Sequence, residues 1–391
     1  DLACYGHPHI KTPHLDRMAT EGIRYTACYS AAPVCSPSRV GLLTGRSPNR
    51  AGVYDWILAA RPNAKRPDAR EQVHLKAGAV TIPKLLKMAG YATCVSGKWH
   101  CNAMFNSPAQ AQPSDAGFDH WFATQNNASP SHENPKNYVR TGEAVGQIEG
   151  FSCQLATDEA IAWMRDKGTP DTDQPPFFLY LAFHEPHEPV ASPKKMVDGY
   201  KEVAEDENQA QYFANVENLD DAVGRVLTAL KETGKDGNTL VIFTSDNGPE
   251  TLRRYRGAGR SWGVPGPLRG MKLWTTEAGF RVAGIARWPG TIKAGQVIDT
   301  PVSALDFLPT FCELAGIPVP GDLAPDGVSI AKDFGNTSPT RTRPLIWCYY
   351  NAINEHRVAM RHGDWKVLAK LDAGTLKKAS NLHTGNAKAA R

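Results

Sequence analysis

The chain has 391 residues, 41% hydrophobic, 21% charged and 9% aromatic, which excludes disorder and collagen and, at ~150 residues per domain, predicts one large and one small domain. Its 44 Lys and Arg against 40 Asp and Glu leave a net charge of +4 with no basic tract, so nucleic acid finds no electrostatic footprint, although a few placed cations still suit a small anion. No apolar run approaches the ~20 residues of a membrane span.

The chain opens at Asp1-Leu2-Ala3-Cys4 without an initiator Met and reads as a fragment whose upstream segment, with any targeting signal, lies outside the sequence. Cys35-Ser36-Pro37-Ser38-Arg39 predicts a helix start, with Ser36 as N-cap and Pro37 in the first turn. Thr81-Ile82-Pro83 opens a second helix, with Leu85, Leu86 and Met88 apolar, that stops at Gly90, and Tyr91–Ser96 follows as a short strand. Phe177–Phe183, after Pro175-Pro176, reads as a strand buried on both faces. Tyr212, Val216, Leu219, Val223, Val226 and Leu230 recur every three or four residues, an amphipathic helix closed by Gly234. Leu240–Thr244 is another buried strand. Such alternation predicts an α/β fold, a mostly parallel central sheet flanked by helices, over residues 1–320. A smaller C-terminal α+β unit is expected over 321–391, with antiparallel strands at Pro344–Tyr350 and Val358–Leu371.

In open α/β sheets function gathers beyond the carboxyl ends of the strands. Those positions hold Gly97-Lys98-Trp99-His100, His184-Glu185-Pro186-His187 and Ser245-Asp246-Asn247-Gly248. Each piece has a plain reading beside the chemical one. Cys35 at a helix N-terminus faces dipoles that favour an anion, with Arg39 one turn on, yet a lone cysteine is usually a small buried hydrophobe. Lys98 and His100 share a turn and one pocket, or are merely structural. His184 and His187 compete for one role. Asp246 and Asn247 offer hard oxygens for Ca²⁺ or Mg²⁺, or an ordinary Asx turn. Lys272 alone would pass for a surface lysine. The eight cysteines show no CxxC pair and are too sparse for a disulfide scaffold.

Taken in order, Cys35-x-Pro-x-Arg39 with Leu43-Thr44-Gly45-Arg46, then Gly97-Lys98-Trp99-His100, resembles the formylglycine-dependent sulfatases of the alkaline-phosphatase-like superfamily. Phe177-Phe178-Leu179-Tyr180 leading to Pro186-His187-Glu188-Pro189, Asp246-Asn247-Gly248, Arg269-Gly270-Met271-Lys272 and Gly279-Phe280-Arg281-Val282 are similar too. The likeness runs from Asp1 to about Trp365. It implies that Cys35 is oxidised to formylglycine by a maturation enzyme and that the hydrate is the nucleophile. Arg39 would hold the hydrate, Lys98 and Lys272 the sulfate oxygens, His100 would be the base and His187 the acid for the leaving alcohol. Asp246 and Asn247 would bind Ca²⁺, the substrate would be a sulfated small molecule or glycan, and the location periplasmic or secreted. Choosing His187 over His184 rests on this likeness.

One departure is expected to matter: the family's Asp-Asp pair on an N-terminal strand has no counterpart in the sequence, so Asp1 is not taken as a ligand, and the family's closing motif is also missing. The competing functions are a phosphodiester or phosphonate monoester hydrolase with the same nucleophile, and a non-catalytic anion- or glycan-binding relative. Trp56, Trp121, Tyr138, Trp262 and Trp274 are candidates for stacking on sugar rings or for ordinary packing.

Overall fold

A computed structural model describes residues 1–60, 73–167, 174–251, 255, 257–335, 341–371 and 389–390. Helices cover two five-stranded sheets, and a four-stranded sheet follows near the C-terminus. The first sheet runs Val302–Ser303, Ile23–Tyr29, Arg281–Arg287, Val241–Thr244, with Gln296–Ile298 also paired to Ile23–Tyr29. The second runs Glu143–Gly146, Tyr138–Arg140, His120–Thr124, Ala92–Lys98, Phe177–Ala182. Pairing is mixed. Ala92–Lys98 is parallel to both its neighbours, which delivers its carboxyl end beside theirs, whereas Arg281–Arg287 is antiparallel to both of its own.

The amphipathic helix forms over Glu207–Glu232, where the Asp206 carboxylate accepts the Gln209 N–H and so satisfies one of the orphan donors of the first turn. Its buried Tyr212, Val216, Leu219, Val223, Leu227 and Leu230 pack with Leu15 and Met18 in one core. A second core lies under the strand ends, built from Val95, Trp99, Phe118 and Trp121. Helix Ile82–Met88 is capped by Thr81, but Met88 is 81% exposed; it sits about 200° around the axis from Leu86, off the buried face.

Three sequence expectations change. Phe177–Ala182 and Val241–Thr244 are half-buried except at Ala182, because each is the outer strand of its sheet and lines a cavity of about 1320 Å³. Val358–Leu371 is not one strand; it folds into Val358–His362 and Trp365–Ala369 around Gly363, whose φ of 57° suits a turn glycine. Ser36 is no cap: the helix Cys35–Thr44 starts one residue earlier, after Val34, and the Ser36 hydroxyl accepts the Ile57 N–H at 3.0 Å. All eight cysteines are free, and no described helix is long and apolar enough to cross a membrane. Within the unit expected over 321–391, residues 336–340, 372–388 and 391 lie outside the described residues.

The third sheet is fastened to the rest in two ways. Trp347 stacks on Phe280 with centroids 4.0 Å apart, beside Tyr29. Ahead of it, buried Asp306 accepts Arg341 through both oxygens at 2.6 and 3.0 Å, and also the backbone N–H groups of Ser303 and Val328. Both side chains are almost wholly buried. Replacing one partner strands the other charge, so Asp306→Ala should cost about 3–5 kcal/mol of stability, read as a lowered urea midpoint. A loss below about 1 kcal/mol, the range of surface pairs, would show that this joint does not hold the C-terminal sheet.

Candidate active site

The site forms where Ala92–Lys98, Phe177–Ala182 and Val241–Thr244 end and the helix Cys35–Thr44 begins. Close backbone approach explains the local sequence. A Cβ at Gly97 would lie 2.0 Å from the Ala182 carbonyl oxygen, and one at Gly248 1.6 Å from that of Ala278. Only glycine lets the Lys98 and Asp246 turns come this near their neighbours.

Arg39 crosses the centre. Its Nε donates to Asp246 Oδ2 at 2.8 Å and its Nη1 to the Lys98 carbonyl at 2.6 Å. Burial alone would push the guanidinium down, and the adjoining Asp246 more than offsets this and holds it up. Burial would likewise raise the Asp246 carboxyl, yet Arg39, Lys98 and Lys272 keep it below the usual carboxylate range. Lys98 is fully buried and donates to Asn127 Oδ1 at 3.1 Å. Burial, helped by Arg39 and Lys272, brings it down to about 8, while Cys35 and Asp246 act in the opposite sense. Cys35 is the first residue of its helix and is buried, and Lys272 is buried in the loop that precedes Leu273, whose φ is 69°.

His100 also takes a left-handed backbone, φ 52°, held by its N–H to the Gln125 carbonyl at 2.7 Å. Its Nε2 donates to the Ile57 carbonyl at 2.9 Å, and its buried Nδ1 has no partner. Burial and then Lys98 hold the ring neutral, so Nδ1 carries an unused lone pair. His187 places Nδ1 2.7 Å from the Glu188 carbonyl, to which it donates, leaving Nε2 available. Burial, then Lys272 and Lys98, lower its pKa well below the ordinary value. His184 turns elsewhere: its Nε2 lies 2.7 Å from Thr124 Oγ1, and Tyr138 packs edge-on against its ring.

The six catalytic candidates are therefore gathered with Asp246, and the histidine pair divides into one at the site and one in the packing behind it. Sequence reading missed Asn127. The end of the neighbouring parallel strand, His120–Thr124, would have pointed to it, had that short mixed run been recognised. Asp246 and Asn247 would supply one carboxylate and one amide oxygen to a cation. Asp246 already gives one oxygen to Arg39, and Asn247 Nδ2 donates to the Gly248 carbonyl. That is fewer than the about six to eight oxygens calcium takes, so these residues make one side of a metal site and not a cage. Among the described residues the one group of three candidate ligands is His14, Asp220 and Asp221. There Asp220 is already used, accepting the backbone N–H groups of His14 and Leu15.

Asp246 pairs with Arg39, Lys98 and Lys272 are buried beside them, and this group of cations should take a sulfate ion. Above about 8 Lys98 loses its proton, and affinity for inorganic sulfate should fall about tenfold from pH 7 to 9. Lys98→Met should bind weakly without that slope. Calorimetric titration at both pH values checks this; a flat wild-type profile would place the anion away from Lys98.

Comparison with known proteins gives the family. Residues 1–317 match the family model described as Sulfatase, and residues 271–369 match that for the C-terminal region of N-sulphoglucosamine sulphohydrolase. Rat N-acetylgalactosamine-6-sulfatase is 37% identical over 350 residues, covering 84% of this chain and 62% of the relative. The chain thus spans less than two thirds of that protein's length. Human arylsulfatase A is 35% identical over 399 residues, covering 94% of this chain and 71% of its own. The solved structure of Ps i-CgsB in complex with k-i-k-neocarrahexaose superposes with a TM-score of 0.79 at 27% identity, covering 94% and 80% of the two chains. PsFucS1 sulfatase from Pseudoalteromonas sp. gives 0.75 at 26%, covering 95% and 75%. With a family match across most of its length, the chain belongs to the sulfatases of the alkaline-phosphatase-like superfamily.

Proposed function

We propose that this chain carries the catalytic centre of a sulfuric ester hydrolase whose nucleophile is the formylglycine hydrate made from Cys35 by a maturation enzyme. The observation that carries the reading is the set of three buried cations, Arg39, Lys98 and Lys272, gathered with the buried Cys35 and balanced by Asp246. Buried cations in excess of their carboxylates call for an anion.

In this reading one hydrate oxygen attacks sulfur and releases its proton to water, the bond from sulfur to the ester oxygen breaks, and the alcohol leaves with a proton that His187 Nε2 has taken up from water. Free of substrate, that ring is held neutral by burial and its two lysine neighbours; an anionic ester placed among them favours its protonated form, so the acid is armed by substrate. His100 Nδ1 then takes the proton of the second hydroxyl. The aldehyde re-forms as the bond from carbon to the sulfated oxygen breaks, releasing sulfate. Lys98 and Lys272 neutralise the sulfate oxygens throughout, and Arg39 holds the hydrate. Asp246 and Asn247 would hold one side of a Ca²⁺ ion, with Mg²⁺ the alternative, and the ion would supply further positive charge to the sulfate oxygens. A sulfated glycan or small molecule as substrate and a periplasmic or secreted location complete the reading.

Conversion of Cys35 is read directly as a lowered intact mass of its peptide after co-expression with a formylglycine-generating enzyme. Cys35→Ala should reduce sulfate-ester turnover by several orders of magnitude with the fold intact, and retention of more than about a percent would sink the mechanism. Calcium offers a second check. With one carboxylate already shared with Arg39, residues 1–391 should bind Ca²⁺ only weakly in calorimetry, with Kd on the order of 10⁻⁴ M or above, and Asp246→Ala should remove the signal. Submicromolar binding that survives Asp246→Ala would mean that other residues build the site.

A further inference from the structure

The residues just outside the nucleophile come from two segments far apart in the chain, and one buried carboxylate locks them together. Asp55 is completely buried. Its Oδ1 accepts the Tyr349 hydroxyl at 2.9 Å and the Trp56 N–H at 2.8 Å, and its Oδ2 accepts Asn351 Nδ2 at 2.6 Å. Tyr349 and Ala352 pack in one cluster with Val34, Cys35 and Leu273, and Trp56 packs against it. Further along the same loop Ile353 N–H donates to the Leu273 carbonyl at 3.1 Å, and Asn354 Oδ1 accepts the Thr275 N–H at 3.1 Å. Residues 349–354 therefore bridge the wall that carries Trp56 and the wall that carries Lys272.

The residues beside these in the chain, Tyr54 before Asp55 and Tyr350 after Tyr349, are aromatic and exposed. Tyr54 is 38% exposed and Tyr350 42%, with ring centroids 5.8 Å apart and planes tilted by 52°. A buried carboxylate with three donors ties the two loops that carry this pair, and loops fixed in advance lose less entropy on binding. Exposed tyrosines present apolar faces and hydroxyl edges together, the complement of a sugar ring's C–H face and hydroxyl rim.

We infer that Tyr54 and Tyr350 form a platform that stacks on a sugar ring adjoining the sulfated one, so that the site prefers a sulfated oligosaccharide to a sulfated monosaccharide. The inference deepens the sulfatase reading, but it concerns binding and is tested without turnover. The probes are N-acetylgalactosamine 6-sulfate and a trisaccharide bearing that sugar at its end, titrated calorimetrically into the Cys35→Ala chain. The trisaccharide should bind about tenfold tighter than the monosaccharide, and the advantage should vanish in a Tyr54→Ala/Tyr350→Ala background while monosaccharide affinity stays unchanged. Tyr54→Phe/Tyr350→Phe should keep most of it. Equal affinity for the two sugars in the parent, an advantage that survives removal of both rings, or binding of neither sugar would overturn the platform. Failure of the sulfatase reading has a different signature, an absence of turnover by the Cys35-converted chain, and leaves these affinities as they are.

Discussion

The ion pair between Arg39 and Asp246 is the constraint on which the rest of the site depends. Arg39 stands on the helix that begins at Cys35, Asp246 just beyond one sheet, and the Lys98 carbonyl that Arg39 also grips ends a strand of the other. One guanidinium thus joins three elements through two charge-assisted hydrogen bonds in a largely buried setting, where such bonds are worth more than in water. Its fork geometry makes this possible; a lysine would present a point charge and satisfy one partner. Removing either partner would leave a charge without compensation between the two sheets.

The same pair sets the electrostatics. Asp246 offsets one cation, and with Lys98 and Lys272 also buried the pocket is left positive. Four groups respond to burial and to that excess of positive charge: Asp246 stays ionised, His100 and His187 stay neutral, and Lys98 comes within reach of neutral pH. Burial and like charges drive the histidines down together. A site so arranged holds unfavourable electrostatic energy that a bound anion would relieve.

Around this centre the C-terminal sheet acts as a second wall. The Phe280–Trp347 stack and the Asp306–Arg341 pair hold it against the first sheet. Its 349–354 loop is then tied to both sides of Cys35 through Asp55 and Leu273. The part of the chain with the least conspicuous sequence therefore shapes the approach to the part with the most conspicuous one.

The elements and the residue types of the site were legible in the sequence because both are local. Period and punctuation mark the Glu207–Glu232 helix and the Ala92–Lys98 strand, and the strand-end rule finds Lys98, His187 and Asp246 without any partner in view. What lay beyond it depends on contacts distant in the chain. Burial of Phe177–Ala182 and Val241–Thr244 is set by which strands lie beside them, and that is a property of sheet order that apolar runs do not encode. Ser36 satisfies every local rule for an N-cap, yet its hydroxyl is taken by Ile57, 21 residues on. His184 and His187 are equivalent as letters; Thr124 and Tyr138 packed around one ring separate them. Asn127 and Asp55 carry no signature, since an amide or carboxylate in a loop acquires meaning only from the lysine or tyrosine brought to it. The sequence by itself determined the chemistry available to this protein, and the tertiary structure decided which groups share a dielectric and a direction, because hydrogen bonds and charges act over a few ångströms in space however far apart the residues stand in the chain.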